Sequence, residues 1–233
     1  MSTTVIIALD YPTRTEAMRL VAELGSDATF YKVGLQLLTE EGPDVVRELV
    51  ANGKRVFLDL KLHEIPNSVA GAVRAAGRLG ASMVTVHASA GGAVLRAAVA
   101  AAEPFPELSV LALTVITSLT DKDLPEIGLH PSVRQQVERL ATLAANTGCQ
   151  GVVASVNDAS YLAKLLPSGM LIVTPGIQFA GAKANDQART ATPADAKRAG
   201  ASHIVVGRSI THATSPRAAH QEACSAMSEA NAG

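Results

Sequence analysis

Short apolar runs recur along this chain, and segments with a helical rhythm separate most of them. The runs predict strands near 5–10, 28–35, 55–61, 83–88, 109–117, 151–155, 171–176 and 203–207. Between them, Ala17, Leu20, Val21 and Leu24 form one apolar helix face, and Val133, Val137, Leu140 and Ala144 form another. Boundary residues agree with this reading. Thr13-x-x-Glu16 has the form of a capping box, and Thr192-Pro193 and Ser215-Pro216 put proline just after an N-cap. Gly25, Gly53, Gly80, Gly148 and Gly200 fall near helix ends, where a left-handed residue is often needed. Strands alternating with helices imply a parallel sheet. Eight such units in this length fit a TIM (β/α)8 barrel better than an open doubly wound sheet, and no GxGxxG follows the first strand. No linker or break in composition divides the chain, so residues 1–233 are expected to form one domain.

Barrel active sites lie at the C-terminal ends of the strands. Those ends carry Asp10, Lys32, Asp59 with Lys61, His87, Thr117, Gly176 and Arg208. The densest segment is 57–69, Phe-Leu-Asp-Leu-Lys-Leu-His-Glu-Ile-Pro-Asn-Ser-Val. Strand alternation puts Asp59 and Lys61 on one face, with Leu58 and Leu60 on the other. An unpaired buried charge is costly, so a lysine flanked by Asp59 and Glu64 implies pairing and a candidate site for proton chemistry. A structural ion pair closing the barrel mouth is the alternative. Barrels often bind phosphate at the loops after strands seven and eight. Gly176 and Gly207 allow close backbone approach there, and Arg208 can clasp phosphate oxygens with two parallel hydrogen bonds. Segment 178–190 is polar and lacks apolar periodicity, which predicts a mobile loop after strand seven.

Composition narrows the classes further. Hydrophobic residues make up 48% of the chain and charged residues 18%, enough for a sizeable core. A formal charge of −1 gives no electrostatic case for nucleic acid or an acidic membrane. Cys149 and Cys224 are isolated, which fits a reducing cytoplasm rather than a disulfide framework or a zinc knuckle. His63 and His87 lack the spacing of metal ligands and read as hydrogen-bonded structural residues. The N-terminus lacks a basic region and reads as a strand, not a signal peptide, and no apolar stretch is long enough to span a bilayer.

Seven segments, in order and spacing, carry a resemblance across nearly the whole chain. They are Ala8-Leu9-Asp10, Lys32-Val33-Gly34, the run Asp59 to Val69, Val84-Thr85-Val86-His87, Thr174-Pro175-Gly176-Ile177, Asp186-Gln187 and Gly207-Arg208. The chain resembles the orotidine 5′-phosphate decarboxylase family, bacterial type, and the Ile-Pro-Asn run is the most specific part. The resemblance implies a cytoplasmic homodimer with shared active sites and no metal or organic cofactor. It also implies conversion of orotidine 5′-phosphate to uridine 5′-phosphate and CO₂ in pyrimidine-nucleotide synthesis. By position, Lys61 becomes the general acid at C6, and Asp59 lies beside the substrate carboxylate. Asp10 and Lys32 meet the ribose and join the charged network. Thr117 lies at the pyrimidine, and Gln187, Gly207 and Arg208 hold the phosphate, with Gln178 nearby. Glu64 and Ser68 occupy positions that the family supplies across the dimer interface.

This chain departs from the family pattern at three of those positions. Glu64 stands where the family usually has Asp, Gln178 where many bacterial members have Arg, and Ser68 where Thr is commoner. Two alternatives remain beside the decarboxylase. One is a Mg²⁺-dependent sugar-phosphate lyase or decarboxylase of the same superfamily, whose acids hold a metal against an enediolate. The other is a nucleotide-binding barrel that has lost turnover through Glu64 and Gln178.

Overall fold

The structure, a computed structural model, describes residues 4–130, 132–179 and 191–229. Eight parallel strands close into a barrel in chain order. They are β1 (Thr4–Ala8), β2 (Phe30–Gly34), β3 (Arg55–Leu62), β4 (Met83–His87), β5 (Ser109–Leu113), β6 (Gly151–Val153), β7 (Leu171–Thr174) and β8 (His203–Val206). Every predicted strand is present. The fifth is shorter than expected, because the chain turns away after Leu113 and carries Thr117 into a loop.

The helices are α1 (Arg14–Leu24), α2 (Leu35–Glu41), α3 (Asp44–Ala51), α4 (Pro66–Arg78), α5 (Gly92–Ala102), α6 (Val133–Asn146), α7 (Val156–Leu165), α8 (Pro193–Arg198), α9 (Arg208–Thr211) and α10 (Pro216–Glu229). Their termini follow the sequence signals. Thr13 caps α1 by accepting the Glu16 N–H, but the expected box is incomplete, because Glu16 Oε2 accepts from the Thr13 hydroxyl and not from the Thr13 N–H; Thr192 forms a reciprocal capping box with Asp195 ahead of Pro193. The Ser215 hydroxyl accepts from the Ala218 N–H at the start of α10. Gly25, Gly53, Gly80, Gly148 and Gly200 all have positive φ.

Two apolar layers hold the barrel. Outside it, the helix faces pack on outward strand residues, including Ala17, Leu20, Val21 and Leu24 of α1 and Val137 and Leu140 of α6. Inside it, Ile6, Phe30, Phe57, Met83, Leu111, Val173 and Val205 fill the lumen. At the N-terminal end the Arg55 guanidinium lies 4.1 Å from the Phe30 ring centroid, and His203 meets the same ring edge-on. Strand alternation then decides what stands above this plug. Two residues beyond Phe30 is Lys32, two beyond Phe57 is Asp59, and two beyond Met83 is Thr85. The inner face of each of these strands thus passes from apolar to polar toward the C-terminal mouth.

Candidate active site

A cavity of about 550 Å³ opens at the C-terminal ends of the strands, a volume within the range of small-molecule sites. Asp10, Lys32, Asp59, Lys61, Thr117, Gly176, Gln178, Gly207 and Arg208 all line it. Residues far apart in the chain therefore converge as the strand-end reasoning expects.

Two ion pairs organise one side. Lys32 Nζ lies 2.8 Å from Asp10 Oδ1, with the lysine side chain only 12% exposed. Gly34 makes room for it, since a Cβ there would come within 3.0 Å of Lys32 Nζ and 3.4 Å of Asp10 Oδ1. Lys61 Nζ lies 2.7 Å from Asp59 Oδ2, and the side chains are 33% and 14% exposed. Each lysine is thus a cation held in place by an acid while still bordering the cavity.

Lys61 reaches this position by an irregular backbone. Its φ is +50°, and among the described residues it alone, apart from glycines, has positive φ. The β3–β4 register shifts between Leu58, which pairs with Val84, and Leu62, which pairs with Val86. This is a β-bulge, a device that re-aims side chains next to active sites. The predicted alternation survives the bulge. Leu58, Leu60 and Leu62 pack on the outer layer, while Asp59 and Lys61 face the cavity.

Across the mouth, the loops after β7 and β8 meet. The Ser209 hydroxyl donates to the Ile177 carbonyl at 3.4 Å, and within the β7–α8 connection the Gln178 N–H donates to the Ala191 carbonyl at 3.0 Å. Gly176 sits at φ +79°, a conformation that favours glycine. Gly207 is different. A Cβ there would meet Ala8 and Asp10 only at ordinary contact distance, so its protein neighbours do not demand glycine. The Gln178 side chain is buried at the cavity wall, and Arg208 is exposed at its rim.

Other predicted residues stand apart. Glu64 and Ser68 are exposed and do not line the cavity, and the Glu64 carboxylate accepts its neighbour Ile65's N–H at 2.6 Å. Gln187 and most of the predicted 178–190 loop lie outside the described residues. His87 also stays off the cavity wall and stacks on His63, with ring centroids 5.1 Å apart. Burial holds the His87 pKa below the ordinary imidazole value, and the adjoining His63 and Lys61 push it the same way. Among the described residues no group of three or more His, Cys, Asp or Glu is arranged to hold a metal ion.

Thr85, Ser118, Ser209 and His212 have no role expected from the sequence, although Thr85 falls within a segment that carries the resemblance. Ser209 and His212 line the cavity close to Arg208; the helical spacing from 208 to 212 was a usable signal. Ser118 also lines the cavity, from an irregular loop with no period to read. Thr85 is fully buried and bonded to Asp59 and the Lys61 backbone, and in sequence it looks like an ordinary β-branched strand residue.

Charged groups gathered at the C-terminal mouth of a closed (β/α)8 barrel mark the TIM-barrel enzymes. Comparison with known proteins narrows that class. Residues 3–223 match the model of the Orotidine 5′-phosphate decarboxylase / HUMPS family, and the chain belongs to that family. Among curated relatives, the orotidine 5′-phosphate decarboxylase of Alkalilimnicola ehrlichii is 48% identical over 215 residues, covering 92% of each chain. That of Laribacter hongkongensis is 46% identical over 215 residues, covering 92% of this chain and 88% of the relative. The crystal structure of orotidine 5′-phosphate decarboxylase from Lactobacillus acidophilus superposes with a TM-score of 0.86 at 34% identity, covering 97% of this chain and 99% of that one.

Proposed function

We propose that this chain decarboxylates orotidine 5′-phosphate to uridine 5′-phosphate and CO₂ in pyrimidine-nucleotide synthesis, without a cofactor. One observation carries the reading. The Lys61 ammonium, paired with Asp59 at 2.7 Å, borders the same cavity as the Gly207–Arg208 turn, in a chain whose family bears that activity's name.

In this reading the bond from C6 to the carboxylate breaks, and its electron pair stays on C6. The pyrimidine ring delocalises that pair poorly. A cation already in place stabilises it without reorganisation, and Lys61 then gives its Nζ proton to C6. Water restores the lysine proton after product leaves. Asp59 faces the substrate carboxylate and keeps Lys61 oriented. Asp10 and Lys32 bind the ribose, and Thr117 contacts the pyrimidine. Gln178, Gln187, Gly207 and Arg208 take the phosphate, whose remote binding energy holds the ring against Lys61. Glu64 and Ser68 complete the site of a partner subunit in a homodimer, a role supported by their exposure outside their own cavity. Residues 1–233 act as one decarboxylase domain, in the cytoplasm.

Purified protein mixed with orotidine 5′-phosphate is expected to lose substrate absorbance as uridine 5′-phosphate forms, equally with and without EDTA. No turnover at high enzyme concentration overturns the proposal. Activity abolished by EDTA and restored by Mg²⁺ overturns its cofactor-free form.

A further inference from the structure

We propose that Thr85 is a positioning residue, whose single hydroxyl holds both Asp59 and the backbone of Lys61 in their working arrangement. The β3–β4 register leaves Asp59, Leu60 and Lys61 opposite Thr85 alone, because Leu58 pairs with Val84 and Leu62 with Val86. Such a bulge disrupts the ladder and leaves backbone groups in need of partners. The Thr85 hydroxyl answers that need. Its Oγ1 accepts the Lys61 N–H at 2.8 Å and donates to Asp59 Oδ1 at 3.0 Å. Asp59 Oδ2 in turn accepts from Lys61 Nζ at 2.7 Å. The three residues close a ring of hydrogen bonds, in which one buried hydroxyl serves as donor and acceptor at once.

The ring explains how a lysine persists at φ +50° in a strand. Left-handed backbone is unfavourable for a residue with a Cβ and survives only where its surroundings over-determine it. Thr85 supplies that constraint from a fully buried position, and so does not itself touch the cavity. Valine would keep the shape and β-branching of Thr85 but remove both hydrogen bonds. The Lys61 N–H would then be unsatisfied, and the Asp59 carboxylate would be free to rotate. Lys61 Nζ would lose its aim rather than its charge.

The catalytic part of this inference rests on the proposed decarboxylation, so its test has two arms. In the kinetic arm, Thr85→Val should lower kcat by about 10–100-fold, the effect of losing a hydrogen bond to a charged group and misplacing the lysine. Affinity for uridine 5′-phosphate should stay within about threefold, and Thr85→Ser should recover most of kcat, because the hydroxyl is what matters. A Val variant with kcat within about twofold of wild type overturns the proposal. So does a loss of product affinity as large as the loss of kcat, which would mark a general structural defect. If the Val variant does not fold, Thr85→Ala is read in its place. In the structural arm, a crystal structure of the Val variant should show Lys61 out of the left-handed region or Asp59 rotated away from Nζ. Unchanged geometry there overturns the proposal, even if the wild-type protein has no decarboxylase activity.

Discussion

Replacing Lys61 with glycine and, separately, with alanine separates the chemistry of this residue from its backbone. Both variants remove the ammonium and leave Asp59 to Thr85, so the lost ion pair is common to the two and cancels between them. They differ in what φ +50° demands. A residue with a Cβ gives up about 1–2 kcal/mol in left-handed backbone, which glycine avoids. Glycine also gains unfolded-state entropy, worth about 0.4–1 kcal/mol against it. The balance makes Lys61→Gly more stable than Lys61→Ala by roughly 0.5–1 kcal/mol. In a regular strand the order is reversed by a similar amount. Urea unfolding of the two proteins, read as midpoints at a common slope, measures the difference. Both variants should also lose at least about 10⁴-fold in decarboxylation, since the proton donor and the fixed cation vanish together. A glycine variant less stable than the alanine variant would refute the strained-backbone account. Either variant keeping a tenth of wild-type activity would remove Lys61 from the centre of the mechanism.

Three further outcomes follow from the same structure. If Glu64 serves a partner's site, equal mixing of inactive Lys61→Ala and Glu64→Ala subunits should restore about a quarter of wild-type activity, since half the dimers carry one intact site; a mixture as inactive as its components would show that the sites are not shared. Gly34→Ala should lower kcat/KM by up to about tenfold, as the new methyl pushes Lys32 Nζ a few tenths of an ångström from Asp10; because φ at position 34 is −98°, thermal stability should barely change, and a large fall in Tm would contradict this. Burial, with Arg55 nearby, depresses the His203 pKa from 6.5 to about 4. The unfolded chain therefore binds a proton in that window that the folded one refuses, so this stability is complete above pH 6.5 and is lost as pH falls toward 4, by roughly 3 kcal/mol in all. Denaturation of wild type and His203→Gln at pH 7.5 and 4.5 should show a smaller acid loss in the variant, and equal losses would refute the assignment.

Much of the site was legible before any fold was known, because a charge at the end of an apolar strand is conspicuous. Asp10, Lys32, Asp59, Lys61 and Arg208 are such charges, Thr117 is an uncharged strand-end residue, and all six line one cavity. Thr85 was illegible for the opposite reason. Threonine is common in strands, and its significance lies in a register shift between β3 and β4 that no local pattern announces. His87 reads as a structural residue despite its place at a strand end, and the structure agrees. It ends an apolar run as the others do, yet its ring turns to His63 instead of the cavity.

The sequence by itself determined the number and order of the strands, the helix faces that cover them and the polar residues at the strand ends. These depend on local periodicity and capping, which are short-range properties of the chain. Only the tertiary structure decided that Lys61 adopts a left-handed backbone, that one buried hydroxyl ties it to Asp59, and that Gly34 rather than Gly207 is hemmed in by its protein neighbours. Those features arise where strands distant in sequence meet, and their geometry is set by the closing of the barrel and not by any residue alone.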